Sequence, residues 1–227
     1  MPDDLLASVI ASIERGTCDD PFAVLGPHPA EVGGRRGMTI RVFQPDATSI
    51  ELLAGGVSLP MEPRGDAGTY EAFVPDVVGN PLAFDYRLRV TWKAGHTTDL
   101  IDPYRFGRIL SDFDLHLLAE GTQLRAQEKL GAHAIQLGAI AGVHFAVWAP
   151  NARRVSVVGD FNLWDGRVHG MRRLLPHGVW EIFIPGLSNG DVYKFEICGA
   201  DGDVFLKADP YAFRMETPPR SASVVWE

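Results

Sequence analysis

Apolar and polar residues along this chain alternate mostly with a period of two, which predicts a protein built of short strands. In Tyr193-Lys194-Phe195-Glu196-Ile197, the tyrosine, phenylalanine and isoleucine share one face, and Lys194 and Glu196 share the other. That is the pattern of a half-buried antiparallel strand. Similar runs fall near 38–43, 49–53, 57–61, 69–74, 84–92 and 97–101, separated by Gly-Gly, Pro, Asn-Pro and Ala-Gly turns. Two stretches differ. Residues 3–15 carry Leu5, Leu6, Val9, Ile10 and Ile13 at helical spacing, with Asp3 or Asp4 at the N-cap and Gly16 past the end. Residues 111–138 favour helix but are interrupted by Gly121 and Gly131, which predicts one or two short helices connecting two domains.

The pattern also repeats. Ile40 opens IRVFQPDATSIELL and Phe145 opens FAVWAPNARRVSVV. Gly68 opens GTYEAFVP and Gly178 opens GVWEIFIP. Tyr86-Arg87-Leu88 returns as Tyr193-Lys194-Phe195, and Asp102-Pro103-Tyr104 as Asp209-Pro210-Tyr211. Four segments in one order, offset by 105 residues at the first and 107 at the last, mean a duplicated domain rather than a solenoid repeat. Six to seven short strands per copy, with no strand–helix–strand alternation, give an all-β fold of two immunoglobulin-like β-sandwiches in tandem. The expected organisation is a helix and connector over 1–30, a first sandwich over 31–110, a helical linker over 111–138 and a second sandwich over 139–227.

Composition narrows the chemistry. The 227 residues are 46% hydrophobic and 22% charged, an ordinary globular balance, with a net charge of −8. That charge argues against a nucleic-acid partner, whose phosphates need clustered Lys and Arg. Two cysteines make no disulfide framework and suit a reducing compartment. The N-terminus lacks the basic region and unbroken apolar core of a signal peptide, and the longest apolar stretch, 137–149, is too short for a membrane span. The expectation is a cytoplasmic protein with no membrane partner. The apolar end at Val224-Val225-Trp226 reads as a chain cut from a longer one.

Candidate chemistry is sparse. Gly186-Leu187-Ser188-Asn189-Gly190 has the spacing of a hydrolase nucleophile elbow, but lies between two strands, so Ser188 reads as part of a hairpin turn. The seven histidines show no metal-ligand spacing, and no phosphate loop or dinucleotide fingerprint is present, so no metal or cofactor is expected. The distinctive segment is Gly159 to His169, GDFNLWDGRVH, where the first copy has only Ala54-Gly55-Gly56-Val57. An aromatic ring flanked by Asn162, Asp165 and Arg167 suits sugar recognition: the ring meets the C–H face and polar groups meet the hydroxyls. The competing reading packs Trp164 into its own domain, with Asn162 and Asp165 capping the turn. On the residues alone, the usual burial of Trp favours that second reading.

The same residues carry a resemblance. The run 159–169 with Met171-Arg172 resembles the family 48 carbohydrate-binding module of glycogen branching enzymes. DPFAVLGPHP at 20–29 resembles the N-terminal signature of those enzymes, 111–133 their inter-module linker, and KADPYAF at 207–213 the end of the module. The resemblance implies non-catalytic N-terminal modules that assist glucan binding and positioning. The parent enzyme would cut an α-1,4-glucan and rejoin the piece through an α-1,6 bond, a hexosyl transfer in glycogen biosynthesis. Its catalytic (β/α)8 barrel would lie C-terminal to these modules as a partner, and its catalytic residues have no counterpart here. Stand-alone relatives of the module bind glycogen through two Trp, a Lys and an Asn. Trp164 and Lys194 match the first Trp and the Lys; Phe205 stands nearest the second Trp, and Ser221-Ala222-Ser223 stands where the Asn would be. The implied glucan-binding residues are therefore Trp164 and Lys194, with Asn162 and Asp165 holding the loop, and the implied ligands glycogen and maltooligosaccharides. Two alternatives are a free-standing glycogen-binding or regulatory module, and a pair of immunoglobulin-like interaction domains with no sugar ligand.

Overall fold

The computed structural model describes residues 3–226, in two compact units, Met1–Gly107 and Arg108–Glu227. The first unit holds helix α1 (Asp3–Glu14) and strands β1 (Gly26–Val32), β2 (Arg35–Phe43), β3 (Ala47–Ala54), β4 (Val57–Pro60), β5 (Glu62–Pro63), β6 (Thr69–Pro75), β7 (Arg87–Trp92) and β8 (Thr97–Leu100). They form two antiparallel sheets, ordered β1-β2-β6-β5 and β4-β3-β7-β8. The second holds α2 (Asp112–Ala119) and strands β9 (Gly131–Leu137), β10 (Ile140–Trp148), β11 (Arg154–Gly159), β12 (Arg172–Leu174), β13 (Val179–Pro185), β14 (Val192–Cys198), β15 (Val204–Lys207), β16 (Arg214–Met215) and β17 (Ser223–Val224). Its sheets run β12-β13-β10-β9 and β11-β14-β17-β16, with β15 also paired to β14.

The repeat in sequence is a repeat in topology. The order β1-β2-β6-β5 becomes β9-β10-β13-β12, and β3-β7-β8 becomes β11-β14-β15. Matched apolar residues occupy matched core positions. Ile40 and Phe145, Val42 and Val147, Tyr70 and Trp180, and Tyr86 and Tyr193 are all buried. Even their polar tips agree: the Tyr70 hydroxyl donates to the carbonyl of Ala47 at 3.1 Å, and Trp180 Nε1 to that of Ala149 at 3.0 Å.

Two segments depart from the expectation. The connector read at 20–29 contains the start of β1, and the linker read at 111–138 ends in β9, so only its first part is helical. Both strands begin with one signature, Leu25-Gly26-Pro27-His28 and Leu130-Gly131-Ala132-His133. In each, the histidine Nε2 meets the leucine carbonyl at 3.1 Å. Gly26 sits at φ +86, and a Cβ there would come within 2.5 Å of the Tyr104 carbonyl oxygen; this close approach, not a flexible connector, is why glycine stands there. The strand expected from 84 starts only at Arg87, because Asn80 caps a 3-10 turn at Pro81–Ala83.

The helices play equivalent parts too. Leu6, Ile10 and Ile13 of α1 pack with Val24, Leu25, Phe43 and Tyr104. Leu115 of α2 packs with Leu110, Leu130, Ala146, Leu174 and Val179. Asp3 and Asp4 lie in the first turn of α1 rather than at its N-cap, where carboxylates favour the positive end of the helix dipole. Helix α2 starts on a capping box in which Ser111 and Asp114 each accept the other's backbone N–H at 3.1 Å. The second helix is thus the counterpart of the first, tucked against its own sandwich. A buried carboxylate anchors it: Glu181 on β13 accepts the backbone N–H groups of Ile109 and Leu110, both at 3.0 Å.

Candidate carbohydrate-binding face

The site residues gather at one end of the β11–β14 pair. Strand β11 ends at Gly159, which is paired with Tyr193, next to Lys194. The chain then leaves the sheet in a 3-10 turn, Asp160–Asn162, and enters the left-handed region twice in succession. Leu163 has φ 55 and Trp164 φ 61. Neither is glycine, and such residues cost free energy that surrounding contacts must offset; strain of this kind clusters at functional loops.

Asn162 supplies three of those contacts. Its Oδ1 accepts from the Gly159 N–H at 3.0 Å, and its Nδ2 donates to the Val157 carbonyl at 2.8 Å and to His169 Nδ1 at 2.8 Å. The side chain is buried, and its bonds tie the loop to the end of β11. Asp165 closes the next turn by accepting from the Arg167 backbone N–H and Nε, both at 2.9 Å. Burial raises the Asp165 carboxyl, but the Arg167 hydrogen bonds outweigh it and leave the pKa below the ordinary value. His169 is driven the other way: burial lowers its pKa to about 4, so the ring is neutral and its Nδ1 is free to accept from Asn162.

Trp164 is half-buried, with Nε1 donating to Asp160 Oδ1 at 2.8 Å and its backbone N–H to the Gly159 carbonyl at 2.9 Å. The ring is therefore held by its polar edge instead of being sunk in the core. Lys194 sits half-buried between the core residues Tyr193 and Phe195, and its Nζ donates to Ser221 Oγ at 2.9 Å. Ser221, noted in sequence only as a replacement for an asparagine, thus meets the lysine directly.

Phe205 does not join this face. On β15, Leu206 stands opposite Glu196 and Phe205 opposite Ile197. Alternation puts Leu206 on the Lys194 side and Phe205 on the other. Phe205 lies 5.4 Å from Lys207 Nζ instead. Ser188 also differs from its sequence reading: β13 and β14 belong to different sheets, so its loop is a crossover rather than a hairpin. The Ser188 N–H donates to Asp191 Oδ2 at 2.7 Å, a bond that closes the turn. Among the described residues, no group of three or more His, Cys, Asp or Glu is placed to hold a metal, and no helix is long and apolar enough to cross a membrane.

The residue that sequence reasoning passed over is Arg154, at the start of β11. It is buried, with Nη1 donating to Ser156 Oγ at 2.6 Å and to the Gly166 carbonyl at 2.9 Å, and Nη2 to Glu196 Oε1 at 2.6 Å. The repeat alignment could have singled it out, because Ser49 stands at the matching position of the first copy.

The two units match two families in this order along the chain. Residues 7–104 match the N-terminal domain of alpha-1,4-glucan branching enzyme GlgB, and residues 129–212 match carbohydrate-binding module 48, the isoamylase N-terminal domain. The 1,4-alpha-glucan branching enzyme GlgB of Paramagnetospirillum magneticum is 52% identical over 95% of this chain and 28% of its own length. That of Ralstonia nicotianae is 47% identical over 99% of this chain and 31% of its own length. The chain thus spans about a third or less of these curated relatives. A solved pullulanase from Anoxybacillus sp. LM18-11 aligns with 89% of this chain and 28% of that one, at 18% identity, with a TM-score of 0.37, too low to carry an argument. Through residues 7–104 and 129–212 together, the chain belongs with the N-terminal part of the 1,4-alpha-glucan branching enzyme family.

Proposed function

We propose that the second unit holds α-glucan on the face formed by Trp164, Lys194 and Ser221, as part of a cytoplasmic enzyme that builds α-1,6 branches into glycogen. The observation that carries this is the strained, edge-fixed placement of Trp164 beside the Lys194 end of β14. A ring held through Nε1 offers its face to a sugar's C–H surface, and the Lys194 ammonium with the Ser221 hydroxyl supplies hydrogen bonds to sugar hydroxyls. Asn162 and Asp165 hold the loop's shape and do not themselves reach ligand. Their bonds are already satisfied by the loop and the end of β11.

One aromatic ring with few polar partners supports an affinity of about 1 mM, roughly 4 kcal/mol. The modules would therefore keep a long glucan close to the catalytic part by avidity rather than by tight capture. The first unit lacks the loop and would position the assembly. The test is a maltoheptaose titration followed by amide shifts in the 227-residue chain, in the parent and in Trp164→Ala. Shifts confined to 159–169, β14 and Ser221, and lost in Trp164→Ala, are expected. Shifts elsewhere, or an unchanged affinity in Trp164→Ala, overturn the reading.

A further inference from the structure

We infer that Arg154 is the positioning residue of the glucan-binding loop, tying the Trp164 loop and the Lys194 strand into one rigid unit. The inference rests on the glucan reading above. Three observations carry it.

The first is connectivity. One buried guanidinium reaches the loop through the Gly166 carbonyl, its own strand through Ser156 Oγ, and β14 through Glu196 Oε1. Glu196 lies two residues from Lys194, on the same face of β14 by alternation. A planar fork spreads its donors over separate nitrogens in fixed directions and so spans acceptors on three segments, whereas an ammonium places its three donors on a single nitrogen at the end of a flexible stem.

The second is fit. A Cβ on Gly166 would run into the Glu196 carboxylate, so the loop lies directly against the ion pair. Glycine at 166 is what lets the loop backbone descend far enough for its carbonyl to meet the guanidinium.

The third is an internal comparison. In the first unit the matching position is Ser49, and the matching segment after β3 is a Gly55-Gly56 turn. The long loop and the buried arginine occur together, in one copy of the duplicated domain. A guanidinium needed only for the sandwich itself would be expected in both.

Arg154 therefore acts on sugar through Trp164: with the loop released from the sheet, the ring and the Lys194 ammonium no longer keep a fixed separation. The test uses the 227-residue chain with Arg154→Met/Glu196→Gln, which removes the guanidinium without stranding a carboxylate. Arg154→Lys is the second variant, keeping a charge for Glu196 but not the three-way bridge. Hydrogen exchange of the Trp164 and Arg167 amides reports the loop, exchange of the β10 and β13 amides reports the fold, and maltoheptaose titration reports binding. In whichever variant keeps parent exchange in β10 and β13, the loop amides should exchange at least about tenfold faster and affinity should fall about fivefold or more. Parent-like loop exchange, or unchanged affinity, in such a variant overturns the inference. So does loss of β10 and β13 protection in both variants, since Arg154 would then serve the whole sandwich. Failure of the glucan reading shows separately, as unchanged affinity in Trp164→Ala while the loop-exchange result still stands.

Discussion

The Tyr86 hydroxyl donates to Asp102 Oδ2 at 2.6 Å, with both residues buried, and Asp102 Oδ1 accepts the Tyr104 backbone N–H at 2.9 Å. The second unit repeats this at Tyr193, Asp209 and Tyr211, with distances of 2.5 and 2.8 Å. Two segments that recur separately in sequence are thus one device, in which a core tyrosine latches the chain that follows the last hairpin. Burial raises both carboxyls, Asp102 to about 6. Tyr193→Phe should lower stability by roughly 1–3 kcal/mol, because Asp209 would lose a donor inside the protein. Urea unfolding of the variant checks it, and an unchanged midpoint would discard the latch.

Trp180→Ala should cost more, about 3–5 kcal/mol, as a cavity replaces the largest fully buried side chain of the second core and the Ala149 carbonyl keeps only the Ala152 N–H of its two donors. Thermal unfolding followed by near-ultraviolet circular dichroism measures this. A loss below 1 kcal/mol would mean that the ring is dispensable to the core.

Glu181 tests the second helix. Burial raises its carboxyl, but hydrogen bonds from His144 and the Leu110 and Ile109 N–H groups outweigh it and hold the pKa below the ordinary value. Glu181→Ala orphans two backbone donors and leaves His144 without its partner. A loss of about 3 kcal/mol is expected, with faster hydrogen exchange at Ile109, Leu110 and α2. Exchange at α2 that matches the parent would show that the helix is held by its apolar contacts alone.

Much of the fold was legible because burial on one sheet face imposes a period of two, and duplication prints that period twice. Ile40 with Phe145 and Tyr86 with Tyr193 could be paired on sight. Strands β1 and β9 were harder to read: Gly26-Pro27 and Gly131 carry turn signals, and only the geometry shows these glycines yielding space to Tyr104 and Tyr211. The loop was visible as an insertion with a Trp, but its left-handed Leu163 and Trp164 were not, since nothing in their residue types favours φ > 0. Arg154 escaped notice because Gly166 and Glu196, 12 and 42 residues away, meet it only after the strands have paired.

His169 makes the loop acid-sensitive, and the sign follows from its burial. The neutral ring accepts from Asn162 Nδ2 at 2.8 Å, and burial lowers its pKa from 6.5 to about 4. Above pH 7 the imidazole is neutral in the folded and unfolded chains and contributes no slope. As pH falls through about 6.5, the unfolded chain takes up a proton that the folded one refuses until about 4, so stability drops across that window. The full loss is up to about 3 kcal/mol, reached near pH 4. Asp102, raised to about 6, acts in the opposite direction, because its folded form holds the extra proton below that value. The parent curve mixes these with the shifted carboxyls of Asp209, Asp165 and Glu181, and His169→Asn isolates the share of residue 169: asparagine keeps an acceptor for Asn162 Nδ2 and does not titrate. The difference in stability between parent and variant should be flat above pH 7 and should move against the parent between about 6.5 and 4. Parallel curves across that range in urea unfolding would show that the ring at 169 is hydrated and protonates freely in the folded loop.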